Sequence, residues 1–402
     1  MFTKIDEAIE WITHRKSSNY SFEHFKKVVH LAGDPQDDFS LIHVAGTDGK
    51  GSTVNYLCDL LMSQGFKVGT LTSPHYETHL DRIRVNGKNI TDSAFLNILN
   101  ANYEFFMENK LSMFEMDYLI MCDYFKQENI DYCVVEVGLG GRLDSTNVVN
   151  DTKLSIITTI GFDHMDRLGN TLPEICYEKC GIIKNGSKVL CGRLDDECMK
   201  VVYEVAEERN SDVYVLKEYT DLGDRRFKYN GREYELSSFA NYQLHNASLA
   251  LEALDIIARE DDFVIDYDKA KEALHKSLWK GRFQIVHQNP RVILDGAHNT
   301  HACKALVKSF DPFTGSKCII FSALKRKEYK KMIELLKDHC DRLILTSFET
   351  YNQTIDLNEF EGYDREPDYQ KAIDEAMKEY DNILICGSLY FLSEVVLHAR
   401  FD

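Results

Sequence analysis

The stretch LIHVAGTDGKGS, residues 41–52, decides how the rest of this chain is read. Leu41–Ala45 is an apolar run interrupted only by His43, and it ends in a glycine-rich turn. Such a run, too short for a helix, reads as a strand buried on both faces. Beyond the turn, Val54, Leu57, Cys58, Leu61 and Met62 recur at three- and four-residue spacing. That is the apolar stripe of a helix. Strand, glycine turn and helix together form a phosphate-binding context: the glycines let backbone N–H groups curl around phosphate oxygens, and the helix N-terminus adds positive charge. Lys50 supplies a full charge and is expected to face solvent when no nucleotide is bound. The common loop reads G-x-x-x-x-G-K-[ST]. Here Val44 stands at the first glycine, and Gly51 replaces the hydroxyl residue after the lysine, with Ser52 one place later. A metal on the nucleotide must therefore draw ligands from elsewhere. The alternative is an ordinary tight strand–helix turn.

Working outward, Val68–Thr72, Tyr132–Val137 and Leu154–Ile160 read as further strands with helical stretches between them. A second alternation follows: strands Arg291–Leu294, Lys317–Phe321, Arg342–Thr346 and Asn382–Cys386, with helices such as Tyr329–Leu336 and Tyr369–Tyr380. Alternating strands and helices imply mostly parallel sheets covered on both faces. The expected architecture is α/β in two domains, 1–278 and 279–402, joined near Trp279–Gly281. A length of 402 residues agrees with two cores rather than one.

In a parallel sheet the strand C-terminal ends gather on one edge, beside the phosphate loop. Ser73, Glu136 and His164 each fall at or just beyond such an end. Magnesium prefers oxygen ligands, so Ser73 and Glu136 suit it better than His164. Each also has a plainer reading: Ser73 capping the turn before Pro74, Glu136 a buried ion-pair partner, His164 a structural histidine.

Composition narrows the function classes. A formal net charge of −18 without a long basic run argues against nucleic-acid binding. No stretch reaches the roughly 18 apolar residues of a membrane helix. The opening MFTKIDEAIEWITHRK carries charges throughout, unlike a secretory leader. Eleven cysteines with no C-x-x-C pair read as reduced thiols in a cytoplasmic protein.

An ordered series of motifs now points further. GTDGKGS (46–52), TSPH (72–75), DRIRVNG (81–87), FE (114–115), EVGLGGRLDSTN (136–147), GFDHMDRLGNT (161–171), EKCGIIK (178–184), YQLHNA (242–247), WKGRFQ (279–284) and LDGAHN (294–299) run through most of the chain. The chain resembles the folylpolyglutamate synthase and dihydrofolate synthase group of the Mur ligase superfamily. The resemblance implies an N-terminal P-loop ATPase domain, a smaller C-terminal Rossmann-like domain, and an active site between them. It implies an ATP-dependent ligase that adds L-glutamate to the glutamyl carboxylate of a folate through an acyl phosphate, acting as a cytoplasmic monomer in folate and one-carbon metabolism. Dihydrofolate synthase activity, with dihydropteroate as acceptor, can coexist with it and is not decided by the sequence.

The same resemblance assigns roles. Gly46, Thr47, Gly49, Lys50, Gly51 and Ser52 would hold the ATP phosphates, and Asn246, Arg282 and Asp295 would contact ATP. Ser73, Glu136 and His164 would be magnesium ligands. Lys179 would be carbamylated, and His298 would lie near the γ-phosphate. Residues Pro74 to Arg84 would form a loop near folate and nucleotide. Without the resemblance, Lys179 reads as a solvated lysine near a helix end. Four positions depart from the group's usual residues: Asp48 for Asn, Lys280 for Pro, Tyr242 for His and Asp117 for Thr. The competing readings are a muramyl ligase, a nucleotide switch or motor, and a non-catalytic nucleotide-binding module. LGGRLDSTN and EKCGIIK favour the folate branch. The switch reading lacks both the Lys-Ser/Thr pair and an N-K-x-D motif.

Overall fold

A computed structural model describes residues 1–15, 21–325, 327–350 and 353–401. The chain divides into two compact units. One comprises Met1–Thr220, Tyr229–Tyr234 and Asn246–Ser277; the other comprises Asp221–Lys228, Glu235–His245 and Leu278–Asp402.

The first unit is built on eight strands: β1 (Leu41–Ala45), β2 (Val68–Leu71), β3 (Ile83–Val85), β4 (Lys88–Asn89), β5 (Tyr132–Glu136), β6 (Leu154–Ile157), β7 (Lys188–Cys191) and β8 (Asp212–Val215). Their order is β4-β3-β2-β5-β1-β6-β7-β8. The pairings from β2 through β8 are parallel, while β3 and β4 add an antiparallel edge. Both β1 and β5 are buried at every position, which is why they read as mostly apolar runs, with His43 and Glu136 the polar exceptions. The helix Lys50–Ser63 follows β1 and buries Val54, Leu57, Leu60 and Leu61. The helix Met113–Glu128 starts at a capping box, in which Ser112 and Glu115 satisfy each other's backbone N–H groups. Its buried face joins Phe25, Phe95, Phe106 and Val135 in a large apolar cluster.

A three-stranded sheet, ordered β11-β10-β9, is formed by β9 (Tyr219–Gly223), β10 (Arg226–Tyr229) and β11 (Arg232–Glu235).

The second unit has six strands: β12 (Gln284–Gln288), β13 (Arg291–Asp295), β14 (Lys317–Phe321), β15 (Arg342–Ser347), β16 (Asp364–Asp368) and β17 (Asn382–Cys386), ordered β12-β13-β17-β14-β15-β16. Among the described strands of this sheet, the β12–β13 pairing is antiparallel and the others are parallel. Its core gathers Phe283, Ile293, Phe310, Ile319, Phe321 and Leu384.

The expected α/β class with mostly parallel sheets is what the chain adopts. Three strands are shorter than their sequence suggested: β2 stops at Leu71 rather than Thr72, β5 at Glu136 rather than Val137 and, most of all, β6 at Ile157 rather than Ile160. The next residues leave the ladder to bind the glycine turn. Among the described residues no helix is long and apolar enough to cross a membrane. All eleven cysteines are free, and all but the half-buried Cys340 are buried.

Candidate active site

The glycine turn after β1 is held from one side by residues 158–161. Thr47 N–H donates to the Thr159 carbonyl at 2.8 Å. The Thr47 hydroxyl donates to the Gly161 carbonyl at 3.1 Å and accepts from Gly161 N–H at 2.9 Å. Asp48 N–H donates to Thr159 Oγ1 at 3.0 Å, while the Asp48 carbonyl accepts from the Thr158 and Thr159 hydroxyls at 2.6 and 3.1 Å. These two threonines were invisible as site residues in the sequence. Small hydroxyls at the end of an apolar run were the only hint.

Two glycines are dictated by this packing. A Cβ on Gly46 would lie 1.8 Å from Thr158 Oγ1. Gly49 caps the helix Lys50–Ser63 in the left-handed region (φ 83°), and a Cβ there would lie 2.4 Å from Asn246 Oδ1. Asn246 is therefore placed against the phosphate loop. Gly51 and Ser52 sit buried in the first helical turn, where backbone N–H groups lack intrahelical partners and can meet an anion.

Lys50 does not face solvent as expected. Its Nζ donates to the carbonyls of Gly46 and Thr47, both at 3.1 Å. Without an anion to bind, an ammonium finds its best acceptors in the turn it belongs to. Lys179, in the helix Leu172–Cys180, is not a solvated lysine either. It is 4% exposed, and its Nζ donates to the Gly46 carbonyl at 2.9 Å. Burial, reinforced by the charge of Lys50, pulls its pKa down to about 7, against the opposing pull of Asp163 and Asp48. The carboxylate of Asp48 thus acts on a neighbouring lysine.

Ser73 lies two residues beyond β2, and Glu136 closes the adjacent strand β5. They come together, with Ser73 N–H donating to Glu136 Oε2 at 3.1 Å. His164 is in the left-handed region (φ 50°) and engages Asp163: its N–H donates to Oδ1 at 2.9 Å, and its ring Nε2 is 3.8 Å from Oδ2. Among the described residues, no group of three or more His, Cys, Asp or Glu is arranged to hold a metal. A serine and a buried carboxylate at neighbouring strand ends still fit magnesium, which takes one or two protein oxygens and completes its shell with phosphate and water.

After Ser73 the loop is held internally. Asp81 accepts from the N–H groups of Tyr76, Glu77 and Thr78. Buried Asp117 anchors the loop's end, 2.7 Å from His79 Nε2 and 3.7 Å from Arg82 Nε. The departure at position 117 thus serves a buried polar cluster.

The second unit brings Arg282, Asp295 and His298 together around Gly296. A Cβ on Gly296 would lie 2.1 Å from Arg282 Nη1, and His298 Nδ1 is 2.9 Å from the Gly296 carbonyl. Asp295 is 2% exposed, and burial raises its pKa although Tyr242 and Arg282 oppose the shift. Its carboxylate accepts from Tyr242 Oη at 2.5 Å and from the N–H groups of Phe283 and Ala297, each at 2.9 Å. Expected as an ATP contact, it is extensively engaged by its own chain.

Comparison with known proteins places the chain in a family. Residues 44–253 match the Mur ligase middle domain, and residues 281–389 match the Mur ligase glutamate ligase domain. The dihydrofolate synthase/folylpolyglutamate synthase of Bacillus subtilis (strain 168) is 33% identical, covering 98% of this chain and 99% of its own length. The Escherichia coli (strain K12) protein of the same name is 30% identical over 96% of this chain and 93% of its own. A bifunctional folylpolyglutamate synthase/dihydrofolate synthase crystallised with Mn, AMPPNP and L-glutamate superposes with a TM-score of 0.87 at 25% identity, covering 98% of both chains. The chain belongs to the folylpolyglutamate synthase and dihydrofolate synthase family of the Mur ligase superfamily.

Proposed function

We propose that this protein is an ATP-dependent ligase that joins L-glutamate to the glutamyl carboxylate of a tetrahydrofolate, with dihydropteroate as a second acceptor. The convergence of Lys50 and Lys179 on the carbonyl of Gly46 carries this reading. It sets two lysine amines, one of them with a pKa lowered by burial, beside a phosphate loop whose strand edge also holds the Ser73–Glu136 pair.

A carboxylate is a poor electrophile. ATP first phosphorylates it, and the glutamate amine then displaces phosphate from the acyl phosphate. Gly46, Thr47, Gly49, Gly51 and Ser52 present backbone and hydroxyl donors to the nucleotide phosphates, and Asn246 fixes the turn at Gly49. Lys50 swings from its carbonyls to the phosphates and stabilises the charge that develops during transfer. Arg282 supplies a second cation, with Asp295 and His298 beside it, and orients the nucleotide. Ser73 and Glu136 would hold magnesium, with His164 contributing from beside Asp163. The metal's chemistry is charge neutralisation on the phosphates.

The depressed pKa of Lys179 supports its carbamylation, since only the neutral amine adds carbon dioxide, releasing one proton. The resulting carbamate would place an anion beside Lys50. The free thiols support a reducing, cytoplasmic setting. The deciding experiment measures phosphate release from ATP with each component omitted in turn. Turnover should require a folate-type acceptor, glutamate and a divalent cation together. Equal ATP hydrolysis with neither organic substrate would refute the ligase reading.

A further inference from the structure

The turn that carries Arg282 is unusual for its residues. Arg282 stands between Gly281 (φ 68°) and Phe283 (φ 50°), both in the left-handed region. Glycine accepts that conformation freely, but a phenylalanine adopts it only when its surroundings impose it. Two features do so here. The Phe283 ring is 2% exposed and stacks on Phe313, with centroids 5.9 Å apart. Phe283 N–H is held by Asp295 Oδ2. The turn is closed further by Gly296 N–H to the Gly281 carbonyl at 2.8 Å and by Gly281 N–H to Gln284 Oε1 at 2.9 Å.

Asp295 is thus the clamp of this turn. Two of its donors, Phe283 and Ala297, belong to the segments it clamps. The third, the Tyr242 hydroxyl, comes from the helix Asn241–Glu260. A buried carboxylate is stable and directional only while its donors are in place.

We propose that Tyr242 is a positioning residue for Arg282, acting through the Asp295 carboxylate that fixes the Gly281–Phe283 turn. The inference rests on the assignment of Arg282 to ATP made above. The Tyr242 hydroxyl anchors the turn to a helix, and the guanidinium inherits its direction from that turn.

The test compares Tyr242→Phe, which removes one oxygen and keeps the ring, with Arg282→Ala and Asp295→Asn. In steady-state ligase assays Tyr242→Phe should raise KM for ATP about tenfold, the loss expected for a hydrogen bond to a charged group. KM for the folate acceptor should not move. A purely structural tyrosine would lower the melting temperature or the active fraction and leave both KM values alone. Titration calorimetry with a non-hydrolysable ATP analogue and magnesium then completes the cycle. Adding Tyr242→Phe to Asp295→Asn should weaken binding no further, because both changes remove the same link. A wild-type KM for ATP in Tyr242→Phe, alongside a raised KM in Arg282→Ala, would overturn the inference alone, as would fully additive losses in the double variant. A wild-type KM for ATP in Arg282→Ala would overturn the underlying assignment and the inference with it.

Discussion

Lys50 and Lys179 share one acceptor: their Nζ atoms donate to the carbonyl oxygen of Gly46 at 3.1 and 2.9 Å. Two ammonium groups cannot both stay charged so close together at low cost. The cost falls on the deeper one: burial first, and the charge of Lys50 second, lower the pKa of Lys179 to about 7.

That shift has a stability signature. Lys179 has a folded pKa of about 7, below its ordinary 10.5. Below pH 7 the lysine is charged in both states, and the folded protein bears the whole penalty. Between about pH 7 and 10.5 the unfolded chain holds the extra proton, so stability rises with pH. In degassed, metal-free buffer, urea midpoints of the wild type should climb through this window relative to Lys179→Met. Parallel pH profiles for the two proteins would show that Lys179 keeps an ordinary pKa.

Lys50→Ala separates the two roles of that side chain. Ligase activity should fall by roughly 10²–10³, the usual loss for a group that stabilises transition-state charge. The fold should survive, since Lys50 is half-buried and its loss also relieves the repulsion felt by Lys179. Removing Lys50 also removes a cause of the Lys179 shift, so the stability rise should begin at higher pH. Near-normal turnover by a folded Lys50→Ala protein would take this loop out of the mechanism.

Gly49→Ala should be destructive for its size. The left-handed backbone and the 2.4 Å approach of Asn246 Oδ1 both resist a methyl group. We expect a loss of about 1–3 kcal/mol in unfolding free energy. Pairing it with Asn246→Ala, which removes the clashing oxygen, should recover part of that unfolding free energy. No recovery in urea denaturation would mean that the contact does not shape the loop.

Glu136→Gln keeps an acceptor for Ser73 N–H but removes the charge. The divalent-metal concentration giving half-maximal activity should rise by roughly tenfold to a hundredfold, while unfolding midpoints change little. An unchanged metal requirement would place the cation elsewhere.

The sequence announced what is long, periodic or rich in glycine. Strands β1, β14 and β17 were legible because their buried positions demand mostly apolar residues. The phosphate loop was legible because its glycines follow such a run. The clasp of Thr158 and Thr159 on Asp48 was not, since side chains more than a hundred residues apart meet only after folding. Asp117 looked like an isolated substitution until His79 and Arg82 were seen around it. The continuous division 1–278 and 279–402 does not anticipate that segments 221–228 and 235–245 pack with the later residues. Contacts of that kind leave no periodic trace. Lys179 was misjudged from composition because most lysines are solvated, and only the motif around it said otherwise.

The buried thiols turn the molecule into its own recorder of motion. Cys58, Cys122, Cys133, Cys176, Cys180, Cys191 and Cys198 report on the first unit, and Cys303, Cys318, Cys340 and Cys386 on the second. In the native state an alkylating reagent should modify Cys340 first, since it alone is not fully covered. Each further adduct would mark a local opening, and its peptide would name the place. Followed over time with and without nucleotide, the order of labelling would show which unit breathes first and which one a bound ligand quiets.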